Sequence, residues 1–371
     1  MNLSAKGLKT AILFHNGSIG DFLMFILLAE LLQKSGYIDH STIVVPRNLN
    51  FLRGLIEAYP HISAMEVSRR SGWGQIVKRM RHPNLVIIQP TPGKIPFRIK
   101  ALGWLISRSS GTEFIGFQDK GPLCKLLYSK TLVYHTDRLY SENIHNIVRA
   151  LGAPVLVQVP DLKITADFKS VQASGLDQRR YIVFHPGASA PKRAFTVRAA
   201  REVIEHVLKR DSEMHVVLSG SSAEGKWIEE IRNGIQNKER IINAIGCSAQ
   251  QIAAFIQSAE LFIGTDSGIT HLACFLRARV IVAAHYGTAN WLPFYCPSAT
   301  VLYRLAEEEA VRQSREYLDA RRRGGLKPLG TVPSHAICAV MDKFVGCLGS
   351  EEETPQEVVF GENGNGRCTS R

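Results

Sequence analysis

Two stretches of this chain share one outline. TAILFHNG, at 10–17, is an apolar run closing on Phe14-His15-x-Gly17, followed by a small-residue loop and an apolar stretch of helical spacing from Asp21 to about Lys34. YIVFHPG, at 181–187, repeats it 170 residues later, with Phe184-His185-x-Gly187, a loop, and helical spacing from about Thr196 to Lys209. A strand that turns through glycine into a helix opens a βαβ unit. Two such openings predict an α/β chain of two similar domains, each a parallel sheet flanked by helices. The expected divisions are 1–165 and 178–348, joined through the polar stretch at 160–178, with a Glu/Gly/Asn-rich disordered tail at 349–371.

Other β-like runs fit this plan: STIVVP (41–46), NLVIIQP (84–90), EFIGF (113–117), HVVLSG (215–220), RIINAIG (240–246), AELFIGT (259–265) and RVIVAAH (279–285). Between most of them lies helical apolar spacing, as in SAQQIAAFIQSA (248–259) and SGITHLACFL (267–276). AEEEAVRQSREYLDARRRGG (306–325), acidic at its start and cationic at its end, reads as a surface helix matched to its dipole, and 334–348 as an amphipathic closing helix.

Charge is shared unevenly. The chain carries +12, yet residues 1–165 hold 20 Lys and Arg against 10 acids, whereas residues 166–371 hold 25 against 23. No acid lies between Glu66 and Glu113, where nine cations fall, among them Arg69, Arg70, Arg98 and Lys100. That field suits phosphate of a glycan, an anionic lipid or a nucleic acid, and equally a solvated basic face. FLMFILLAELL (22–32) is far short of the ~20 residues a bilayer needs and contains Glu30, so it reads as a core helix. The amino terminus has no signal-peptide pattern, and the expectation is a cytoplasmic protein resting on a membrane at most. Seven scattered cysteines without a C-x-x-C pair argue for free thiols, with neither a zinc site nor a disulfide framework.

In an open parallel sheet, ligands bind beyond the carboxyl ends of the strands, where four loops carry the chemistry. In GTDSGITHL (264–272), Asp266 reads as the cap of a helix starting near Ser267. The amides of Ser267, Gly268 and Ile269 then face outward, toward an anion such as a diphosphate. An ordinary cap, with Thr270 and His271 packed behind it, explains the same residues. In GSIGD (17–21), Asp21 is either the cap of the first helix or a general base at the mouth of the sheet. GASAPKRAF (187–195) puts Lys192 and Arg193 just before a helix, where cations are unfavourable unless a phosphate lies nearby. GSSAEGK (220–226) matches the start of a P-loop, but Trp227 follows where Ser or Thr must hold magnesium.

GSIGD, HPGASAPKR (185–193), VVLSGSSAE (216–224) and SAQQIAAFIQSAELFIGTDSGITHLACFLRARVIVA (248–283) together resemble the ADP-heptose:lipopolysaccharide heptosyltransferases, glycosyltransferase family 9. The resemblance implies a GT-B fold, two Rossmann-like domains facing across a cleft, with acceptor on the first and nucleotide-sugar on the second. It implies inverting transfer of a heptose from ADP-heptose to a lipopolysaccharide core or similar phosphorylated glycan at the inner membrane, without cofactor, metal or nucleic acid; the lack of a D-x-D motif agrees. Asp21 would deprotonate the acceptor hydroxyl and Lys192 would neutralise the diphosphate. Ser267, Gly268 and Ile269 would cradle that diphosphate, with Asp266 near the donor sugar, Glu224 near the ribose and His271 also among the donor-binding residues. Arg69, Arg70, Arg98 and Lys100 would meet the acceptor.

The chain departs from the family pattern in four places. Ala194-Phe195 stands where a tryptophan is usual, and His285-Tyr286-Gly287-Thr288 where F-G-P-T is common. His15 replaces a cation, and the first helix lacks a proline. Two alternatives stay open: a transferase or epimerase of the same fold with another nucleotide-sugar, and a non-catalytic basic protein binding anionic glycan or nucleic acid.

Overall fold

The computed structural model describes residues 9–14, 18–45, 49–67, 85–89, 112–117, 128–135, 139–153, 162–285, 291–293, 295–304, 311–313 and 331–346, with single positions between 74 and 108. The chain divides into two compact units, Met1–Thr165 and Ala166–Arg371.

The first unit is built on β1 (Lys9–Phe14), α1 (Ile19–Lys34), β2 (Ile38–Val45), α2 (Leu49–Ile56), β3 (Ile62–Glu66), β4 (Leu85–Gln89), β5 (Glu113–Phe117), β6 (Lys130–Leu132) and α3 (Tyr140–Ala150). Every residue of α1 from Gly20 to Leu32 is buried, as a core helix requires. Ser18, not Asp21, caps it: Ser18 Oγ accepts from the Asp21 amide at 3.2 Å and donates to Asp21 Oδ2 at 2.6 Å. At the other end Gly36 takes φ +69°, with the Tyr37 amide on Leu32 O and the Gly36 amide on Gln33 O, the left-handed close for which glycine has no Cβ penalty. All pairings are parallel, in the order β3-β2-β1-β4-β5-β6.

The second unit begins with α4 (Phe168–Ala173), which lies within the stretch expected to be a linker. Then come β7 (Tyr181–His185), α5 (Val197–Arg210), β8 (His215–Gly220), α6 (Gly225–Asn233), β9 (Ile241–Ile245), α7 (Ala249–Ser258), β10 (Leu261–Thr265), α8 (Gly268–Phe275), β11 (Val280–Ala284), β12 (Ala299–Arg304), β13 (Val311–Gln313) and α9 (Ser334–Gly346). Its order is β13-β12-β11-β10-β7-β8-β9. Setting β13 aside, the strands run third, second, first, fourth, fifth, sixth, the same doubly wound order as in the first unit. β7, β10 and β11 are buried along their whole lengths, since helices cover both faces, and so they read as unbroken apolar runs.

One reading fails at this level. Residues 311–313, inside the expected helix at 306–325, form an edge strand antiparallel to β12, with Leu302 opposite Gln313 and Arg304 opposite Val311. Unpaired backbone on β12 offers those residues a ladder, which outweighs a charge pattern worth only tenths of a kcal/mol. Four cysteines at described positions, 247, 274, 296 and 338, are free thiols as expected.

Candidate functional site

The strand order fixes where a ligand belongs. In each doubly wound sheet the order reverses between the first and fourth strands, and the loops leaving their carboxyl ends diverge to opposite faces, opening a crevice. In the second unit those strands are β7 and β10, hydrogen-bonded in parallel register from Leu261 opposite Ile182 to Gly264 opposite His185. The loop after β7 is HPGASAPKR and the loop after β10 is TDSG, so the two motifs lie side by side.

Side chains join them. Thr265 Oγ1 donates to Gly187 O at 2.5 Å, and Arg193 Nη1 donates to Asp266 Oδ2 at 3.2 Å. Arg193 also reaches Ser189 Oγ, so its guanidinium bridges both loops. Lys192 sits beside it in the single turn Pro191–Arg193, exposed to solvent. Asp266 does not cap α8. Ser267 does, accepting the Thr270 amide on its Oγ at 3.3 Å, while Thr270 Oγ1 donates to Thr265 O at 2.6 Å. The ladder of α8 starts with the His271 amide on Ser267 O. The amides of Gly268 and Ile269 are thereby left without a partner among the described residues, at the positive end of the helix.

Behind this rim the groups are buried. The side chains of Asp266 and His271 are each 4% exposed, and His271 Nε2 lies 3.9 Å from Asp266 Oδ1. Burial pushes the His271 pKa down, against the pull of Asp266. Its Nδ1 is 2.8 Å from the Tyr295 hydroxyl.

Glu224 closes the other side, beyond β8. It ends the turn Ser222–Glu224 and accepts on Oε2 from the Ser221 amide at 2.8 Å and from Ser221 Oγ at 2.6 Å. Its Oε1 has no hydrogen-bond partner among the described residues and faces Gly187, where an added Cβ would stand 2.2 Å from that oxygen and 2.9 Å from the carboxyl carbon. The P-loop-like stretch at 220–226 thus forms a capped turn and the start of α6.

Beneath the rim, His185 Nδ1 meets Ser219 Oγ at 3.1 Å, and His285 Nδ1 accepts from the Val332 amide at 2.9 Å. Two of the four departures from the family pattern pack on one another: the rings of Phe195 and His285 lie 4.9 Å apart, edge to face at 84°, and Phe195 also meets Phe184. Burial lowers both histidines from 6.5 to about 4. Between those two values the unfolded chain binds protons that the folded chain refuses, so stability falls as pH drops from 6.5 toward 4; above 7 neither residue contributes. Urea midpoints measured from pH 7.5 to 4.5 are expected to fall. The variant His285→Asn, which keeps an acceptor for Val332, is expected to recover on the order of 3 kcal/mol of the loss.

In the first unit, β1 and β4 are the strands at the reversal, and Asp21 stands in the first turn of α1 just beyond β1, 5% exposed. Arg69, Arg70, Arg98 and Lys100 lie outside the described residues, as do His15 and Gly17. The sequence reading paired Arg193 with a phosphate and did not foresee its bond to Asp266. It missed Tyr295, which carries no local signal, since only the tertiary fold brings it to His271.

The model of glycosyltransferase family 9 (heptosyltransferase) matches residues 103–315, more than half of the chain. Among solved structures the chain is similar to the Escherichia coli ADP-heptose lipopolysaccharide heptosyltransferase II, at 17% identity over 92% of this chain and 100% of that one, with TM-score 0.67. It is also similar to a glycosyl transferase family 9 protein of Veillonella parvula, at 16% identity over 91% and 97%, TM-score 0.66. The E. coli heptosyltransferase WaaC with ADP matches at 15% identity over 90% and 99%, TM-score 0.64. No curated protein sequence matches. At such identities the structural likeness establishes the α/β GT-B fold alone, whereas the family model spans the motifs from which the rim is built. The chain is therefore a glycosyltransferase that belongs to glycosyltransferase family 9, the heptosyltransferases.

Proposed function

We propose that this glycosyltransferase transfers a heptose from ADP-heptose, with inversion and without a metal, to a hydroxyl of a lipopolysaccharide core or similar phosphorylated glycan. One observation carries the reading: the bridge Thr265–Gly187 and Arg193–Asp266 ties the lysine-bearing loop to the open amino terminus of α8 at the reversal of strand order. Two cations and the amides of Gly268 and Ile269 on one rim suit a diphosphate, and Glu224 Oε1 suits a ribose hydroxyl.

The chemistry is one displacement. The acceptor oxygen attacks the anomeric carbon while its proton passes to the Asp21 carboxylate. The bond from that carbon to the diphosphate breaks, and its electron pair leaves with ADP. Charge grows on the departing diphosphate, so groups preset around it lower the barrier; Lys192 and the first-turn amides are such groups, and they serve the purpose of a divalent ion. Asp266, with His271 behind it, holds the donor sugar.

Arg69, Arg70, Arg98 and Lys100 belong to the acid-free segment and meet acceptor phosphate or the anionic inner leaflet in this reading. Within that segment Trp104 and Leu105 are exposed, and the Arg108 guanidinium lies 5.7 Å over the Trp104 ring. Among the described residues no helix is long and apolar enough to cross a membrane.

Thermal unfolding with ADP, ADP-heptose, UDP-sugars and GDP-sugars tests the donor. At 100 times its Kd a bound ligand adds about 2.7 kcal/mol of stability. ADP and ADP-heptose are expected to raise the Tm, and a rise with UDP-sugars alone sinks the assignment.

A further inference from the structure

We infer that Tyr295 is a positioning residue that fixes the proton on His271 and, through it, the orientation of Asp266 toward the donor sugar. The inference rests on the function proposed above for Asp266, but its structural half stands without it.

Three contacts make a line through this part of the second unit. The Tyr295 hydroxyl is 2.8 Å from His271 Nδ1, and the two rings stack at 9° with centroids 6.0 Å apart. His271 Nε2 lies 3.9 Å from Asp266 Oδ1, and Asp266 Oδ2 takes the Arg193 guanidinium at 3.2 Å. Phe275, one turn further along α8, supports the Tyr295 ring at 5.2 Å. The carboxylate is thus gripped by a cation on one oxygen and faced by an imidazole nitrogen on the other.

Elementary electrostatics sets the polarity of the line. A buried neutral imidazole carries one proton. Were it on Nδ1, the lone pair of Nε2 would face an anionic oxygen across 3.9 Å of little-exposed space, which is repulsive. The proton therefore belongs on Nε2, and Nδ1 must accept. Tyr295 is the donor it needs, because burial raises the phenol pKa and keeps the hydroxyl protonated. Without that hydroxyl Nδ1 has no hydrogen-bond partner among the described residues, the preference between nitrogens weakens, and Asp266 loses a fixed neighbour.

Tyr295→Phe tests this, since it keeps the stacked ring. In ¹⁵N spectra of the full chain, with His271 assigned from the spectrum of His271→Gln, the unsubstituted protein is expected to show Nε2 protonated and Nδ1 accepting, and Tyr295→Phe a mixture of the two tautomers. In transfer assays Tyr295→Phe is expected to lower kcat/KM for ADP-heptose roughly tenfold, the scale of one hydrogen bond, and to leave the Kd of ADP, which carries no sugar, within about twofold. Adding His271→Gln to it should cost little more, as for residues acting through one another. A proton found on Nδ1, identical spectra in the two proteins, or additive losses overturn the inference. If the unsubstituted protein turns over no nucleotide-sugar, the proposed function fails, while the spectra still decide the relay.

Discussion

Replacing Asp21 by asparagine is expected to stop sugar transfer while the donor stays bound. The side chain keeps its size, and the Ser18 hydroxyl still caps α1 through the amide of residue 21, so the fold is retained. What is lost is a group able to take the acceptor proton, and a positioned base commonly contributes ~10²–10⁴ in rate. Single-turnover rates should fall by that range, with an unchanged Tm shift from the nucleotide-sugar. Turnover within tenfold of the unsubstituted protein, or loss of donor binding, removes Asp21 from the role of base.

Gly187→Ala is the second large effect, and it follows from a close approach. The new methyl would stand 2.2 Å from Glu224 Oε1 and 2.9 Å from its carboxyl carbon. That carboxylate is no free end, because Ser221 holds its other oxygen through both amide and hydroxyl. Something must move, and the cheapest adjustment swings the carboxylate away from the loop after β7, taking the proposed ribose acceptor with it. Charge-assisted hydrogen bonds are worth about 1.5–3 kcal/mol each, so the Kd of ADP should rise roughly 10- to 100-fold, measured by calorimetry. The Asp21→Asn protein serves as the contrast, with an unaltered Kd. An unchanged Kd in Gly187→Ala would show that Glu224 has no part in nucleotide binding.

Much of the frame was legible because period and burial agree. EFIGF and HVVLSG are strands at the residues expected, 113–117 and 215–220, since a strand covered on both faces reads as a mostly apolar run. β3 and β6, ISAME and KTL, were passed over: one lies at an edge with its side chains mostly half-buried and the other is three residues long, so neither shows a clean alternation. β12 went unread next to the charged run that follows it. In that run, charges at 306–325 suggested a helix, and an edge ladder decided otherwise at 311–313. Both acids read as helix caps turned out to have a serine in that place, Ser18 and Ser267. The signal was present, since each serine precedes by three residues the amide it caps. Neither acid caps its helix, in keeping with the chemical roles proposed above for Asp21 and Asp266.

The amino-acid order by itself determined two parallel sheets flanked by helices, the loops that carry polar groups, and the family, because each of these depends on residues near one another in the chain. The tertiary structure alone decided which loops are neighbours. β7 and β10 are 76 residues apart from His185 to Leu261, and the reversed strand order brings Arg193 to Asp266; the pairing of β7 with β8 brings Glu224 to Gly187, and the packing of the chain beyond β11 brings Tyr295 to His271. Local spacing holds no information about such pairs, since their contact is set by how sheets wind and helices cover them, and by the burial that rewards that winding.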